Sequence, residues 1–243
     1  MTASPSAWIV LKFGGTSVSS LPNWTNIARV ASERLAGGAR VLIVHSALSG
    51  VTDRLERLLD AALAQAPEEE LRAVAERHRL LAAELGVALG EDIERELSEL
   101  AGMAADIGRS REVSHATRAR VLATGELMAT HLGTRFLAAC GMSVAWADAR
   151  SLLRAESYGA SAKASVLSAM CGFTPDAALR QRLEALAPLI VTQGFIASDE
   201  AGRTVLLGRG GSDTSAAYLA AKLQAQRLEI WTDVPGMFSA NPR

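Results

Sequence analysis

Short apolar runs recur along this 243-residue chain, several of them closing on glycine or small polar residues, and they alternate with segments of helical period. The runs are Trp8–Phe13, Arg40–Ser46, Ser143–Asp148, Leu189–Ile196, Thr204–Leu207 and Leu228–Thr232. Most lack a clean apolar/polar alternation, which is the mark of strands buried on both faces. Between them, Leu55, Leu58, Leu59, Ala62 and Leu63 form one helical stripe within 52–63. Leu71, Val74, Ala75, His78, Leu81, Ala82 and Leu85 form a second, and Ile93, Leu97 and Leu100 a third, with Gly86 and Gly90 between the two. Strands alternating with helices predict an α/β fold around a mainly parallel sheet. The long helical stretch at about 52–140 is expected as a subdomain beside or over that sheet.

In a parallel sheet, ligands sit beyond the carboxyl ends of the strands. Polar, glycine-rich segments fall at those positions repeatedly. Gly14-Gly15-Thr16-Ser17 follows the first run and Ser46-Ala47-Leu48-Ser49-Gly50 the second. Gly208-Arg209-Gly210-Gly211-Ser212-Asp213 leads into a helix expected over Ser215–Gln224, and Thr232-Asp233-Val234-Pro235-Gly236 follows the last run. Bare backbone lets N–H groups approach an anion, and a helix N-terminus adds a favourable dipole. Arg209 suits a carboxylate or a phosphate through two parallel hydrogen bonds.

Lys12 stands out inside the first apolar run. The chain holds 25 Lys plus Arg, yet Lys12, Lys163 and Lys222 are its only lysines. A compact ammonium beside a glycine pair suits a phosphate group, where arginine would not be equivalent. Each piece also has a plainer reading. A glycine pair after a strand serves as a turn, Asp213 serves as a helix cap or first-turn acid, and Glu126 and Asp233 serve as capping or solvated acids.

Composition narrows the class. Apolar residues make up 49%, enough for a large core, and the formal net charge of −1 supplies no basic field for nucleic acid. Cys140 and Cys171 are too few for a disulfide framework or a zinc site. No apolar run reaches membrane-spanning length and the N-terminus lacks a signal-peptide pattern, so a cytoplasmic location is expected. The four histidines, at 45, 78, 115 and 131, show no ligand spacing.

Six segments in order resemble the aspartokinase family, within the amino-acid kinase superfamily. They are Lys12–Val18, Ser46–Thr52, Gly125–Met128, Thr192–Ile196, Gly208–Asp213 and Trp231–Gly236. The resemblance implies a three-layer sandwich with helices covering both faces of the sheet. It implies phosphorylation of the side-chain carboxylate of L-aspartate by ATP with Mg²⁺, the first step towards lysine, threonine and methionine. Carried over by motif, Lys12 and Asp213 are the catalytic pair, with Asp213 organising Lys12 or the substrate amino group. Ser46, Ala47 and Thr52 line the aspartate and phosphoryl region, Glu126 holds the ammonium group and Arg209 the α-carboxylate. Gly14, Gly15, Ser17, Gly210, Gly211 and Ser212 meet phosphate. Thr232, Asp233, Phe238 and Arg243 shape the nucleotide pocket. No protein ligand set for a metal is assigned. Another kinase of the superfamily, acting on glutamate or acetylglutamate, and a non-catalytic nucleotide-binding domain stay open as alternatives.

The family's kinase domain continues past the equivalent of Arg243, with a further phosphate-contacting lysine, and Asn241 stands where it commonly has Asp. The 243 residues are therefore expected to be an N-terminal portion of a kinase domain, without the regulatory modules and with weak activity. A homo-oligomer and a fused biosynthetic enzyme are left open.

Overall fold

The computed structural model describes residues 7–157 and 161–232. Five strands form one parallel sheet: β1 (Trp8–Phe13), β2 (Arg40–His45), β3 (Val144–Trp146), β6 (Leu189–Gln193) and β9 (Arg227–Trp231), in the order β3-β6-β2-β1-β9. The expected mainly parallel sheet is present. Two short antiparallel pairs flank it. One joins β4 (Ala155–Glu156) to β5 (Met170–Cys171), and the other joins β7 (Ile196–Ser198) to β8 (Thr204–Leu206).

Period-2 geometry divides the sheet into two faces. Ile9, Leu11, Phe13, Val41, Ile43, Leu189 and Val191 join one apolar core, and Trp8, Val10, Leu42, Val44 and Ile190 join another. The first core is covered by α1 (Leu21–Ala36), α2 (Val51–Leu63), α3 (Glu68–Leu85), α4 (Glu91–Ser110) and α5 (His115–Ala139). The second is covered by α8 (Ala177–Leu186) and α9 (Gly211–Lys222). Two short helices, α6 (Ala149–Leu152) and α7 (Ala162–Leu167), complete the set among the described residues. The result is a three-layer sandwich.

The block at 52–140 lies over the sheet and shares its core. Helix α5 is buried almost all round from Val121 to Thr130, because the sheet takes one side and α2 to α4 the others. Gly133 permits the closest approach. A Cβ there would lie 2.1 Å from Trp24 Cη2 of α1.

Two boundaries differ from the sequence expectation. The run Leu189–Ile196 is not one strand: β6 ends at Gln193 and the chain turns at Gly194-Phe195 before β7. Phe195 has a φ of 69°, in the left-handed region, and its N–H is held by Ser215 Oγ at 2.8 Å. Helix α9 starts four residues before Ser215, since Gly210, with a φ of 70°, already reverses the chain into it. No helix among the described residues is long and apolar enough to cross a membrane.

Candidate active site

Lys12 lies on the β1 face that looks towards α9, between Val44 of β2 and Ile230 of β9 in the register. Its side chain is 11% exposed, and its ammonium lies 2.8 Å from Asp213 Oδ1. Asp213 sits in the first turn of α9 and is 51% exposed. It is not the helix cap. Gly210 holds that position, without a side-chain cap bond. Gly14 runs beside the ammonium, since a Cβ there would lie 3.7 Å from Lys12 Nζ.

The loops after β1 and β2 are pressed together. A Cβ on Gly15 would fall 2.8 Å from the Ala47 carbonyl oxygen, so only glycine fits without parting the loops. The Ala47 N–H donates to Glu126 Oε1 at 3.3 Å. Gly125 lets α5 come this close, because a Cβ there would be 3.0 Å from Ala47 Cβ and 3.1 Å from Val51 Cγ1. Ser46 Oγ donates to Ser212 Oγ at 2.9 Å, tying the β2 loop to α9. Behind them His45 is buried and donates from Nδ1 to the Ser46 carbonyl at 2.9 Å. Burial pulls its pKa down to about 4, against the effect of that bond, so the ring is neutral.

Glu126 is the unusual group. It is 3% exposed. Burial pushes its pKa up to about 8, although the Ala47 N–H works the other way. Its Oε2 is buried without a hydrogen-bond partner among the described residues. A buried orphan acceptor of this kind costs about 1–3 kcal/mol unless a ligand supplies the donor.

These groups share a cleft of about 300 Å³ at the carboxyl ends of β1 and β2. Lys12, Ser46, Thr52 and Glu126 line one side, and Gly208 to Asp213 the other. Arg209 is exposed there, and its guanidinium makes no ion pair among the described residues. The cleft therefore presents two cations, Lys12 and Arg209, beside the carboxylate of Asp213 and the Glu126 carboxyl, which burial keeps protonated in the empty fold. Such a set suits a ligand bearing an ammonium group and several anionic oxygens. Phe195 also lines the cleft, and sequence reasoning did not single it out. Its only signal was its place in the Thr192–Ile196 segment.

Other expected site residues lie elsewhere. Ser17 and Thr232 line a second cleft of about 240 Å³ with Phe13, Asn23 and Trp231. Ala47 is buried and does not line the first cleft; its N–H meets Glu126, which does. Asp233, Phe238 and Arg243 lie outside the described residues.

Comparison with known proteins finds relatives along nearly the whole chain. Residues 7–243 match the model of the amino acid kinase family. The lysine-sensitive aspartokinase 3 of Escherichia coli K12 is 33% identical over 244 residues, covering 97% of this chain and 51% of that protein. A bifunctional aspartokinase/homoserine dehydrogenase 2 of Arabidopsis thaliana is 32% identical, covering 97% of this chain and 26% of that protein. The crystal structure of E. coli aspartokinase III in complex with aspartate and ADP superimposes with a TM-score of 0.79 at 33% identity, over 94% of this chain and 49% of that one. An aspartate kinase from Clostridium acetobutylicum, 18% identical with a TM-score of 0.71, shares the fold. The chain thus spans about half the length of the E. coli protein, or less in the plant ones. On the match across residues 7–243, the chain belongs to the amino acid kinase family.

Proposed function

We propose that this chain is the catalytic portion of an aspartate kinase, which transfers the γ-phosphoryl group of ATP to the side-chain carboxylate of L-aspartate. The observation that carries this reading is the pairing of an orphan buried carboxylate, Glu126 Oε2, with the unpaired guanidinium of Arg209 in one cleft. A free α-amino acid satisfies both. Its ammonium group supplies the donor that Glu126 lacks, and its α-carboxylate accepts two bonds from Arg209. The named relatives support the same choice. Acetylglutamate, whose nitrogen is acylated, offers Glu126 no cation.

The bond that forms joins phosphorus to a carboxylate oxygen, and the bond that breaks joins it to the oxygen leaving with ADP. No proton moves, so no general base is needed. Catalysis reduces to positioning and charge neutralisation. Lys12 neutralises the group in transfer, with Asp213 fixing the ammonium. The backbone donors of Gly14, Gly15, Gly210 and Gly211, with the Ser212 hydroxyl and the α9 N-terminus, meet the phosphates. Ser46 and Thr52 flank the acceptor, while Ser17 and Thr232, with Asp233, Phe238 and Arg243, serve the nucleoside end.

When bound, Mg²⁺ supplies further neutralisation of phosphate charge. The half-exposed carboxylate of Asp213 fits this supporting role. No group of three or more His, Cys, Asp or Glu among the described residues could cage a metal, so phosphate oxygens and water would be the main ligands. The two free thiols, Cys140 and Cys171, suit the reducing cytoplasm where such an enzyme would work.

Calorimetry tests the reading. L-aspartate is expected to bind and N-acetyl-L-aspartate not to, because acetylation removes the ammonium group. Equal binding of the two, or preferential binding of an N-acylated acid, contradicts it.

A further inference from the structure

The Thr192–Ile196 segment runs from the end of β6 into β7, and only Phe195 of it lines the cleft. Gln193 is fully buried beneath. Its Oε1 accepts from the Ala149 N–H at 2.7 Å, and its Nε2 donates to Thr130 Oγ1 at 2.8 Å. Trp146 Nε1 donates to the same hydroxyl at 2.9 Å. That hydroxyl directs its own proton to the carbonyls of Glu126 and Leu127, at 2.8 and 3.0 Å. Its capacity as acceptor and donor is filled.

Thr130 is one helical turn beyond Glu126 on α5. Gln193 is in register with His45, whose carbonyl accepts from the Gly194 N–H at 2.9 Å. A closed circuit results. From the Ala47 amide it runs back along the chain to His45, across to β6, through the Gln193 side chain to Thr130, and along α5 to Glu126. It closes where the Glu126 carboxylate meets the Ala47 amide at 3.3 Å. Apolar packing surrounds α5 on most sides, and its attraction is non-directional. The directional bonds of Gln193 and Thr130 add a preferred angle and register to that packing.

We infer that Gln193, acting with Thr130 and Trp146, is a positioning residue that sets where the Glu126 carboxylate stands against the Ala47 amide, and so where the acceptor's ammonium group is held. The last clause rests on the proposed function, whereas the placement of Glu126 does not.

The test uses Gln193→Leu and Thr130→Val, with Thr130→Ser as the conservative variant that keeps the hydroxyl. Two readouts are needed: the KM of L-aspartate beside that of ATP, and the titration of the Glu126 carboxyl followed by carbon NMR. Gln193→Leu and Thr130→Val are expected to raise the aspartate KM on the order of tenfold, leave the ATP KM unchanged and move the Glu126 titration. Thr130→Ser restores all three. An unmoved titration with an unchanged aspartate KM overturns the inference, as does a parallel rise of both KM values. If the parent protein does not phosphorylate aspartate, the functional reading fails and the titration alone decides the positioning role. Should the two larger changes prevent folding, Trp146→Phe removes one donor to Thr130, and the titration must still move.

Discussion

The Lys12 ammonium stands 2.8 Å from a carboxylate oxygen of Asp213, which joins β1 to the first turn of α9. Half the Asp213 side chain is open to solvent, so the pair contributes no more than about 1 kcal/mol to stability. Its value lies in holding a cation where a phosphoryl group passes. Lys12→Ala is expected to lower turnover by roughly two orders of magnitude or more. Asp213→Asn is expected to lower turnover while moving the thermal midpoint little. Steady-state rates and a melting curve on the same samples check both. Near-normal turnover by Lys12→Ala removes the lysine from the reaction.

Arg209 has no partner to lose within the described chain. Arg209→Ala is therefore expected to leave stability unchanged and to raise the aspartate KM by about ten- to a hundredfold, the worth of a charge-assisted bidentate contact. An unchanged KM assigns the α-carboxylate to another group.

Glu126 gives the site a pH dependence with a definite sign. Its pKa rises from an ordinary 4.5 to about 8 on folding, chiefly through burial. The empty fold therefore favours the protonated acid. That stabilisation is complete below about pH 4.5 and is lost as pH rises through about 8. Glu126→Gln cannot ionise and keeps an acceptor for the Ala47 amide. Its melting temperature is expected to exceed the parent's at about pH 9, by on the order of 1–3 kcal/mol of stability, and to converge with it in acid. The same variant loses aspartate affinity. A constant difference in melting temperature across pH rules out the raised pKa.

Gly133 tests the packing of α5 against α1. Alanine in a helix interior ordinarily gains about 1 kcal/mol over glycine. Here its Cβ would lie 2.1 Å from Trp24, a ring also fixed by a 2.9 Å bond to the Val18 carbonyl and packed edge-on against His45. Overpacking of this kind costs about 1–3 kcal/mol and more than cancels the propensity gain. Gly133→Ala is expected to lower the denaturant midpoint, and an unchanged or raised midpoint means that Trp24 can move aside.

Much of the sheet was legible because its strands are buried on both faces and read as apolar runs. Lys12 was legible as an exception within such a run. Helix α8 was not read, since it buries only Leu179 and Leu183, too few for a periodicity. Helix α1 does carry a stripe, Trp24, Ile27, Val30 and Ala31, but polar residues interrupt it and hide the period. The break of β6 at Gly194-Phe195 was hidden because nothing in Leu189–Ile196 shows that Phe195 takes a positive φ. The candidate site residues were visible singly. Their gathering at the strand ends was expected from the loops that follow the runs; the face each takes was not, because it depends on strand order, which places β1 between β2 and β9 and so brings Lys12 under α9. The Gln193 network was least visible of all, since a buried glutamine in an apolar run has no sequence signature of its partners.

Carboxylate phosphorylation of free L-aspartate is read most directly as ADP formation, with hydroxylamine trapping of the acyl phosphate, using L-aspartate, L-glutamate and N-acetyl-L-glutamate as acceptors. ADP and a trapped hydroxamate are expected in equal amounts with L-aspartate, and neither with the other two. Turnover with L-glutamate or N-acetyl-L-glutamate and none with L-aspartate would contradict it.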